Sequence, residues 1–304
     1  MEIESGEVSR MKILNFGSLN LDYVYQVEHF VQPGETLSAL SQCVNCGGKG
    51  LNQSVALAKA GAKVYHAGCI GTGGERLARE LSESGVDISC LVTVEDIQGN
   101  AVIQVDRRGE NCILLFGGSN RAITPAMVKR VISRFEQGDY LVLQNEVSCL
   151  PEMVAEAKER GMKVVLNPSP FEVSLLNLDF DAISWLLVNE VEAEQISGQK
   201  DPDAAWQLLH ERYPVLSMVV TLGKEGAVCY TPENKVRQEA YPSSAVDTTA
   251  AGDTFTGYFL TTLSQGMELQ ECMRRASMAA SISVSRAGAA ASIPKRQEVE
   301  EALA

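Results

Sequence analysis

The chain has 304 residues, of which 45% are hydrophobic and 21% charged, so it can bury a large core and has the composition of a globular protein. Its 26 basic and 39 acidic residues give a formal net charge of −13, which argues against a nucleic-acid partner because phosphate backbones require a basic face. No run approaches the roughly 18–20 apolar residues of a membrane span, and the acidic N-terminus does not resemble a signal peptide. We therefore expect a cytoplasmic protein with no membrane partner.

Apolar runs that look like strands alternate with helical patterns along the chain. The sequence predicts strands near residues 12–17, 64–70, 140–144, 163–167, 185–188 and 217–222, and helices near 50–60, 75–85, 125–135, 151–160, 190–197 and 203–212. Continuously apolar strands that alternate with helices predict an α/β fold with a doubly wound, mostly parallel sheet sandwiched by helices.

Two segments interrupt this alternation, at about residues 23–45 and 97–118. Residues 101–116 alternate in polarity and turn at Arg108 and Gly109, as a hairpin does. Because no repeat or linker appears, we predict a single domain over residues 1–304 with these two segments inserted. Residues 1–10 precede the first strand and are predicted to be a flexible N-terminal extension.

Polar residues cluster near the first predicted strand and the first predicted helix. Asn20 and Asp22 follow an apolar strand, where open α/β sheets bind ligands, although such residues also form ordinary turns. Residues 47–53 (GGKGLNQ) form a Gly-rich turn that exposes Lys49 and Asn52 and predicts a clamp for a polar ligand. This turn is not a Walker A loop, because the required string occurs nowhere in the chain.

The segment 245–258 carries the strongest signal for chemistry. Ala250, Ala251 and Gly252 barely shield their backbone N–H groups, which at a helix N-terminus favour an anion. Asp253 follows with a carboxylate that can accept a proton. An anion hole beside a base is what phosphoryl transfer to a hydroxyl requires, whereas the simpler alternative is an Asp that caps a helix.

Eight motifs in order along nearly the whole chain resemble the ribokinase/PfkB family of sugar kinases. They are residues 17–22 (GSLNLD), 33–36 (PGET), 47–53 (GGKGLNQ), 167–170 (NPSP), 189–192 (NEVE), 221–226 (TLGKEG), 247–253 (DTTAAGD) and 288–294 (GAAASIP). One departure is Tyr258, where the family usually has a small residue, and we interpret it as a change in helix packing beside the nucleotide pocket.

The resemblance implies a role for each matching residue. Asp253 is implied to be the catalytic base, with an anion hole at Ala250, Ala251 and Gly252. The implied sugar-binding residues are Asn20, Asp22, Gly48, Lys49, Asn52, Glu146 and Asp253. The implied nucleotide-binding residues are Asn189, Thr221, Gly223, Gly226 and Gly252. Glu192 is implied to hold Mg²⁺ through water, and a monovalent-cation site is implied at Asp247, Thr249, Ser283, Arg286, Gly288 and Ser292.

The resemblance also implies the reaction and the partners. It implies ATP, Mg²⁺ and K⁺ as cofactors, D-ribose as the sugar phosphorylated at O5, and a β-sheet lid formed by the two inserted segments. Because an alternating hairpin with one apolar face would aggregate unless covered, we expect two lids to pack against each other in a homodimer. Another small sugar or a nucleoside remains an alternative substrate, and a non-catalytic sugar-binding protein is an alternative of a different class. Asn189 and Glu192 could also be only a capping box, and Gly288 only a helix C-cap.

Two further chemistries are disfavoured by spacing. A nicotinamide-binding turn requires Gly-x-Gly-x-x-Gly, and the nearest string, residues 68–74, has the wrong spacing. Cys43 and Cys46 are spaced like a zinc or redox pair, but no second such pair exists and the chain has only three histidines. We therefore expect the eight cysteines to be reduced thiols.

Overall fold

The structure, a computed structural model, describes residues 11–304, and the predicted N-terminal extension at 1–10 lies outside the described residues. The strands are β1 Ile13–Phe16, β2 Asn20–Gln26, β3 Ser41–Gly47, β4 Val64–Thr72, β5 Asp87–Ile97, β6 Asn100–Val105, β7 Asn111–Phe116, β8 Tyr140–Gln144, β9 Lys163–Asn167, β10 Ile183–Asn189, β11 Ser217–Thr221, β12 Ala227–Tyr230 and β13 Lys235–Gln238. The helices are α1 Lys49–Ala60, α2 Glu75–Glu83, α3 Pro125–Ile132, α4 Leu150–Glu159, α5 Glu190–Ser197, α6 Pro202–Arg212, α7 Ala251–Ser264, α8 Leu269–Val284 and α9 Arg296–Leu303.

Nine strands form the main sheet in the order β13-β12-β11-β10-β9-β8-β1-β4-β5. All neighbouring pairs from β11 to β5 are parallel, and β12 and β13 add an antiparallel edge. The predicted doubly wound, mostly parallel sheet is confirmed, and each of the six predicted strands is present. The sequence analysis did not predict β5, β12 or β13, because nearly all residues of β5 are exposed or half-buried, and β12 and β13 form a short antiparallel edge outside the alternation of strands and helices.

Helices cover the main sheet on both faces. One face is buried under α1, α7 and α8 through side chains such as Leu51, Phe259 and Met273. The opposite face is buried under α3, α4 and α6 through Val128, Met153 and Leu209. Among the described residues, none of these helices is both long and apolar enough to cross a membrane.

Helices α1 and α7 pack in unusually close contact. A Cβ added at Gly257 would lie 2.4 Å from the Cβ of Ala56, so glycine at this position lets the two backbones approach. Helix α1 begins at Lys49 and α7 begins at Ala251. Their close contact brings the starts of these two helices, which are distant in sequence, to the same edge of the main sheet.

A second sheet has the strand order β3-β2-β6-β7. Strand β2 pairs antiparallel with β3 and parallel with β6, and β6 forms a hairpin with β7. These strands account for the two segments that interrupt the helix–strand alternation. Four consecutive apolar residues of the edge strand β7 are exposed: Ile113, Leu114, Leu115 and Phe116.

Candidate active site

The first turn of α7 contains the predicted base and anion hole. Ala250 adopts a left-handed backbone with φ of 62°, and α7 begins at the next residue. The N–H of Ala251, which was predicted to belong to the anion hole, instead donates to the carbonyl of Thr248 at 3.3 Å, because residues 248–251 form a turn before the helix. The N–H groups of Gly252 and Asp253 have no acceptor among residues 11–304. Asp253 is 7% exposed and Gly252 is exposed, so these N–H groups lie beside a buried carboxylate at an accessible helix N-terminus. That arrangement can bind an anion next to a proton acceptor.

Both oxygens of Asp253 are hydrogen-bonded to α1. Nδ2 of Asn52 donates to Oδ2 of Asp253 at 3.1 Å, and Nε2 of Gln53 donates to Oδ1 at 2.9 Å. Oδ1 of Asn52 is buried and has no hydrogen-bond partner among the described residues. A buried acceptor without a partner is costly, and a ligand hydroxyl would supply the missing donor.

Lys49 lies among three carboxylates at the start of α1. Burial alone would lower the pKa of Lys49, but the negative charges of Asp253, Glu146 and Glu192 outweigh it and raise that pKa. Glu146 is held in place by the hydroxyl of Ser18 and by the N–H of Lys49, the latter at 3.0 Å. The site therefore combines a charged ammonium group with several acceptors, as a polar substrate and a phosphate require.

Asn20 and Asp22 lie on β2, beside the Gly-rich turn. Oδ1 of Asn20 accepts a hydrogen bond from Nδ2 of Asn120 at 2.7 Å, so the amide nitrogen of Asn20 is left as its donor to a ligand. A Cβ at Gly47 would lie 1.9 Å from Oδ2 of Asp22, so the absence of a side chain there makes room for the carboxylate. Gly48 has φ of 93°, which favours glycine, and precedes α1 as its N-cap.

Asp22 has an unusual protonation behaviour. Burial, reinforced by the negative charge of Glu146, raises the pKa of Asp22 from its ordinary value of 3.8 to about 7. In the absence of a ligand this carboxyl group therefore holds its proton to near neutral pH. Hydrogen bonds from ligand hydroxyls would favour the ionised form instead.

A cleft of about 570 Å³ opens beside the first turn of α7 and contains most of the predicted nucleotide-binding residues. Thr221, Gly223, Gly226 and Gly252 line it. Lys224, Ala251 and Phe255 also line it. The rest of the lining comes from α8 and from the segment after β13, including Tyr241, Pro242, Ser277, Ala280 and Ser281. The sequence analysis missed this last group because neither small residues on a helix nor the irregular segment after β13 gives a motif. Most of the exposed surface of the cleft is apolar, which suits a planar base.

Asn189 and Glu192 form a complete capping box at the start of α5. Oδ1 of Asn189 accepts from the N–H of Glu192 at 2.8 Å, and Oε2 of Glu192 accepts from the N–H of Asn189 at 3.1 Å. The capping box that the sequence offered as an alternative role for Asn189 and Glu192 is thus present in the structure. Oε1 of Glu192 makes no hydrogen bond to the described residues, so one carboxylate oxygen is left for a water of a hydrated Mg²⁺, which is commonly held by one carboxylate and substrate phosphates.

The residues of the predicted monovalent-cation site fall into three groups: Asp247 with Thr249 and Gly288, Ser283 with Ser292, and Arg286 by itself. Asp247 accepts from the N–H of Thr249 at 2.9 Å and from that of Gly288 at 3.0 Å, and these hydrogen bonds join two loops. Burial alone would raise the pKa of Asp247, but the bonds from Thr249 and Gly288 outweigh it and lower that pKa. The hydroxyls of Ser283 and Ser292 bond to each other at 2.8 Å.

The side chain of Arg286 turns away from this group to form an ion pair with Glu298 at 2.5 Å. Only the backbone of Arg286 is therefore available to a cation beside Asp247. An ionised carboxylate has more lone pairs than the two N–H donors use, so Asp247 fits a weakly hydrated cation that is otherwise held by carbonyl groups.

The structure also shows the environments of Tyr258, of the glycines near residues 68–74 and of the cysteines. Tyr258 is buried in α7, and its hydroxyl donates to the carbonyl of Pro294 at 2.8 Å, which is a packing role. Residues 68–72 lie inside β4, so the glycines there do not form a nucleotide-binding turn. All eight cysteines are free, Cys43 is exposed while Cys46 is buried, and the described residues contain no cluster of three or more metal-ligating side chains.

Several residues with a clear place in the site were not predicted to belong to it. Ser18 holds Glu146, Asn120 holds Asn20, and Gln53 holds Asp253. Ser18 and Gln53 lie within quoted motifs, so their position in the sequence was the available signal. Asn120 lies in a short turn after β7 with no motif around it, and only the folded chain brings it to β2.

Comparison with known proteins shows which family the sequence and the fold of this chain match. The profile of the pfkB family carbohydrate kinases matches residues 10–296. The ribokinase of Haemophilus influenzae is 36% identical over 97% of this chain and 99% of its own length. The deoxyribokinase of Salmonella typhimurium is 30% identical over 96% of this chain and 99% of its own length. The structure of Arabidopsis thaliana ribokinase complexed with ribose and ATP is 28% identical, with a TM-score of 0.83 over 97% of this chain and 99% of that chain.

Proposed function

The chain belongs to the pfkB family of carbohydrate kinases, and from this premise we propose that it transfers the γ-phosphoryl group of ATP to O5 of D-ribose. The products are D-ribose 5-phosphate and ADP. One observation carries the proposal. The buried carboxylate of Asp253 lies at a helix start with open N–H groups, beside a buried Asn52 oxygen that has no donor in the described part of the chain. A substrate hydroxyl supplies that donor, and a phosphoryl group occupies the N–H groups.

Asp253 is proposed to orient O5 and to accept its proton as O5 attacks the γ-phosphorus. The oxygen–hydrogen bond of O5 breaks as its new bond to phosphorus forms, and ADP leaves with the electrons of the broken oxygen–phosphorus bond. The open N–H groups of Gly252 and Asp253 then stabilise the charge on the transferred group. The ammonium group of Lys49 lies among the carboxylates of the same site and adds positive charge to it.

The sugar is proposed to bind between β2 and the start of α1. Asn20 donates through its amide nitrogen and Lys49 through its ammonium group, while Asp22, Glu146 and Oδ1 of Asn52 accept hydrogen bonds from neighbouring hydroxyls. Gly48 lies in the same turn. Removing one hydroxyl leaves a buried acceptor without a donor, which costs about 1–3 kcal/mol. We therefore expect 2-deoxyribose to be the weaker substrate by roughly ten- to a hundredfold.

ATP is proposed to lie in the cleft between β11 and α8, with its phosphates at the first turn of α7. Thr221, Gly223 and Gly226 line the nucleotide end, and Gly252 lines the phosphate end. Mg²⁺, when bound, neutralises the phosphate oxygens of ATP. Glu192 would hold the Mg²⁺ through water, with Asn189 fixing the carboxylate by the capping box.

The second sheet is proposed to act as a lid over the sugar and as a dimer interface. Asp22 on β2 pairs with Ala101 on β6, which pairs with Leu115 on β7, so the face that carries this proposed sugar-binding residue also carries Leu115. The adjacent Leu114 points to the opposite face, where it is exposed and available to a second copy. An exposed apolar edge strand is a liability unless another surface covers it. A cytoplasmic location is proposed because eight free thiols and the use of ATP suit a reducing compartment.

The test is ADP formation measured with a coupled assay over ribose, 2-deoxyribose, fructose and adenosine. We expect the highest kcat/KM with ribose, and phosphorus NMR of the product should show the phosphate on O5. A higher kcat/KM with 2-deoxyribose would favour the activity named for the Salmonella relative. A higher value with fructose or adenosine would overturn the choice of sugar. A chain that binds ribose without forming ADP would be a sugar-binding protein.

A further inference from the structure

A row of buried amide side chains runs from the proposed base into the centre of the main sheet. Gln53, Gln144, Asn15 and Ser54 are each fully buried. Nε2 of Gln144 donates to Oε1 of Gln53 at 2.7 Å and to Oδ1 of Asn15 at 2.9 Å. Nδ2 of Asn15 donates in turn to the hydroxyl of Ser54 at 2.8 Å, and this hydroxyl contacts Nδ1 of His66. Burial of so many polar groups requires an explanation beyond packing.

The hydrogen bonds fix the direction of each amide in this row. Both N–H groups of Gln144 have acceptors, so a reversed Gln144 amide would place its oxygen against two other amide oxygens. A reversed Gln53 amide would place its oxygen against the carboxylate of Asp253 and its nitrogen against the nitrogen of Gln144. Gln144, together with the carboxylate itself, therefore fixes the direction in which Gln53 presents one N–H group to Asp253.

We propose that Gln53 and Gln144 are positioning residues for the proton acceptor of the proposed reaction. Gln53 holds Oδ1 of Asp253, Asn52 holds Oδ2, and Gln144 acts on Asp253 only through the orientation of Gln53. Two donors, one on each oxygen, fix the rotation of the carboxylate as well as its position. The second N–H of Gln53 donates to Oδ1 of Asn167 at 3.2 Å, which connects the row of buried amides to the end of β9.

The inference rests on the proposed function, and a double-mutant cycle tests it. Gln53→Met keeps the length of the side chain and removes its donors, so kcat should fall by about 10- to 100-fold while KM for sugar and ATP stays within about threefold. Gln144→Met should lower kcat by about 3- to 10-fold. In the Gln53→Met background, Gln144→Met should change kcat by less than twofold, because its route to Asp253 is already gone.

Thr261→Val is the matched control. Thr261 is fully buried in α7, and its hydroxyl also reaches α1, at the carbonyl of Leu57, but it is two turns beyond Asp253. We expect its kcat to remain within twofold of the parent value. Gln53→Asn, which keeps an amide but shortens the side chain, replaces Gln53→Met if that variant does not fold, and kcat should again fall with KM unchanged.

Independent, multiplicative effects of Gln53→Met and Gln144→Met would overturn the inference, as would a Gln53 variant with kcat within twofold of the parent. An equal loss in Thr261→Val would show a general packing effect and also overturn it. The assays use whichever sugar the parent protein phosphorylates best. Failure of the ribose assignment therefore leaves this test intact, and an absence of any sugar-dependent ADP formation would refute the proposed function itself.

Discussion

Nδ2 of Asn52 lies 3.1 Å from Oδ2 of Asp253, although 201 positions separate the two residues in the sequence. The close packing of α1 against α7 makes this contact. The clamp in residues 47–53 and the base in the segment 245–258 are therefore two parts of one site. Loss of either part should impair the reaction in a different way.

Asp253→Asn should lower kcat by roughly 10²- to 10⁴-fold, because the amide cannot accept the proton of the attacking hydroxyl. The shape of the pocket is kept, so the Kd values for ribose and ATP should stay within about tenfold. Steady-state kinetics and calorimetric titration measure the two effects separately. Asp139→Asn is the control: this carboxylate is also buried but accepts from the N–H groups of Lys12 and Glu136, and it should change stability without a comparable loss of kcat. Near-normal turnover in Asp253→Asn would remove it from the mechanism.

Asp22 should make the stability of the sugar-free protein depend on pH between about pH 4 and pH 7. Its pKa is raised from 3.8 to about 7, first by burial and then by Glu146, so in this window the folded state holds a proton that the unfolded state has released. The stabilising contribution is fully present below about pH 4 and is lost as pH rises through 7, at up to about 1.4 kcal/mol per pH unit.

Asp22→Asn should remove this part of the slope. Urea unfolding of the parent and the variant from pH 4.5 to pH 8 measures it, with Asp181→Asn as a control because Asp181 is an exposed carboxylate outside the site. Parallel profiles for the parent and Asp22→Asn would contradict the expectation. Saturating ribose should also flatten the profile of the parent, since hydroxyl donors favour the ionised carboxylate.

The sequence predicted the main sheet well because its central strands are continuously apolar and the helices between them are periodic. Strands β1, β8, β9 and β11 were found for this reason. Strand β13 was not found, because a four-residue edge strand with two charged residues has no such pattern. A continuous apolar run thus predicts a strand that is buried on both faces, but it does not identify the strands at the edge of a sheet.

The site was predictable to the extent that its residues lie in local motifs. The Gly-rich turn and the start of α7 could be placed at helix N-termini from sequence alone, but their mutual contact could not. Asn120 reaches Asn20 from 100 positions away, and the direction of the Gln144 amide depends on Asn15 and Gln53 together. Such pairings arise from tertiary packing, which periodicity and spacing do not encode.

K⁺ should activate the enzyme more than Na⁺ at equal ionic strength. The proposed cation lies beside Asp247, whose hydrogen bonds to Thr249 and Gly288 join the loop before α7 to the loop before α9. A large, weakly hydrated ion would order the turn at residues 250–253 at a lower dehydration cost. Initial rates in KCl, NaCl and choline chloride measure the effect, and Asp247→Ala should reduce the preference for K⁺. Equal rates in all three salts would remove the cation site from the proposal.

The protein should form a dimer through the second sheet. Leu114 is 72% exposed on the edge strand β7, between apolar neighbours, and a second copy of the same sheet is a surface of matching chemistry. Sedimentation velocity over a hundredfold range of concentration should show a dimer that dissociates on dilution.

Leu114→Glu should shift the protein to monomer, because a charge on each copy would be buried in the interface. Val173→Glu is the matched control, since Val173 is 74% exposed outside this sheet, and it should sediment as the parent does. A monomer at every concentration, or equal effects of the two substitutions, would contradict the proposed interface.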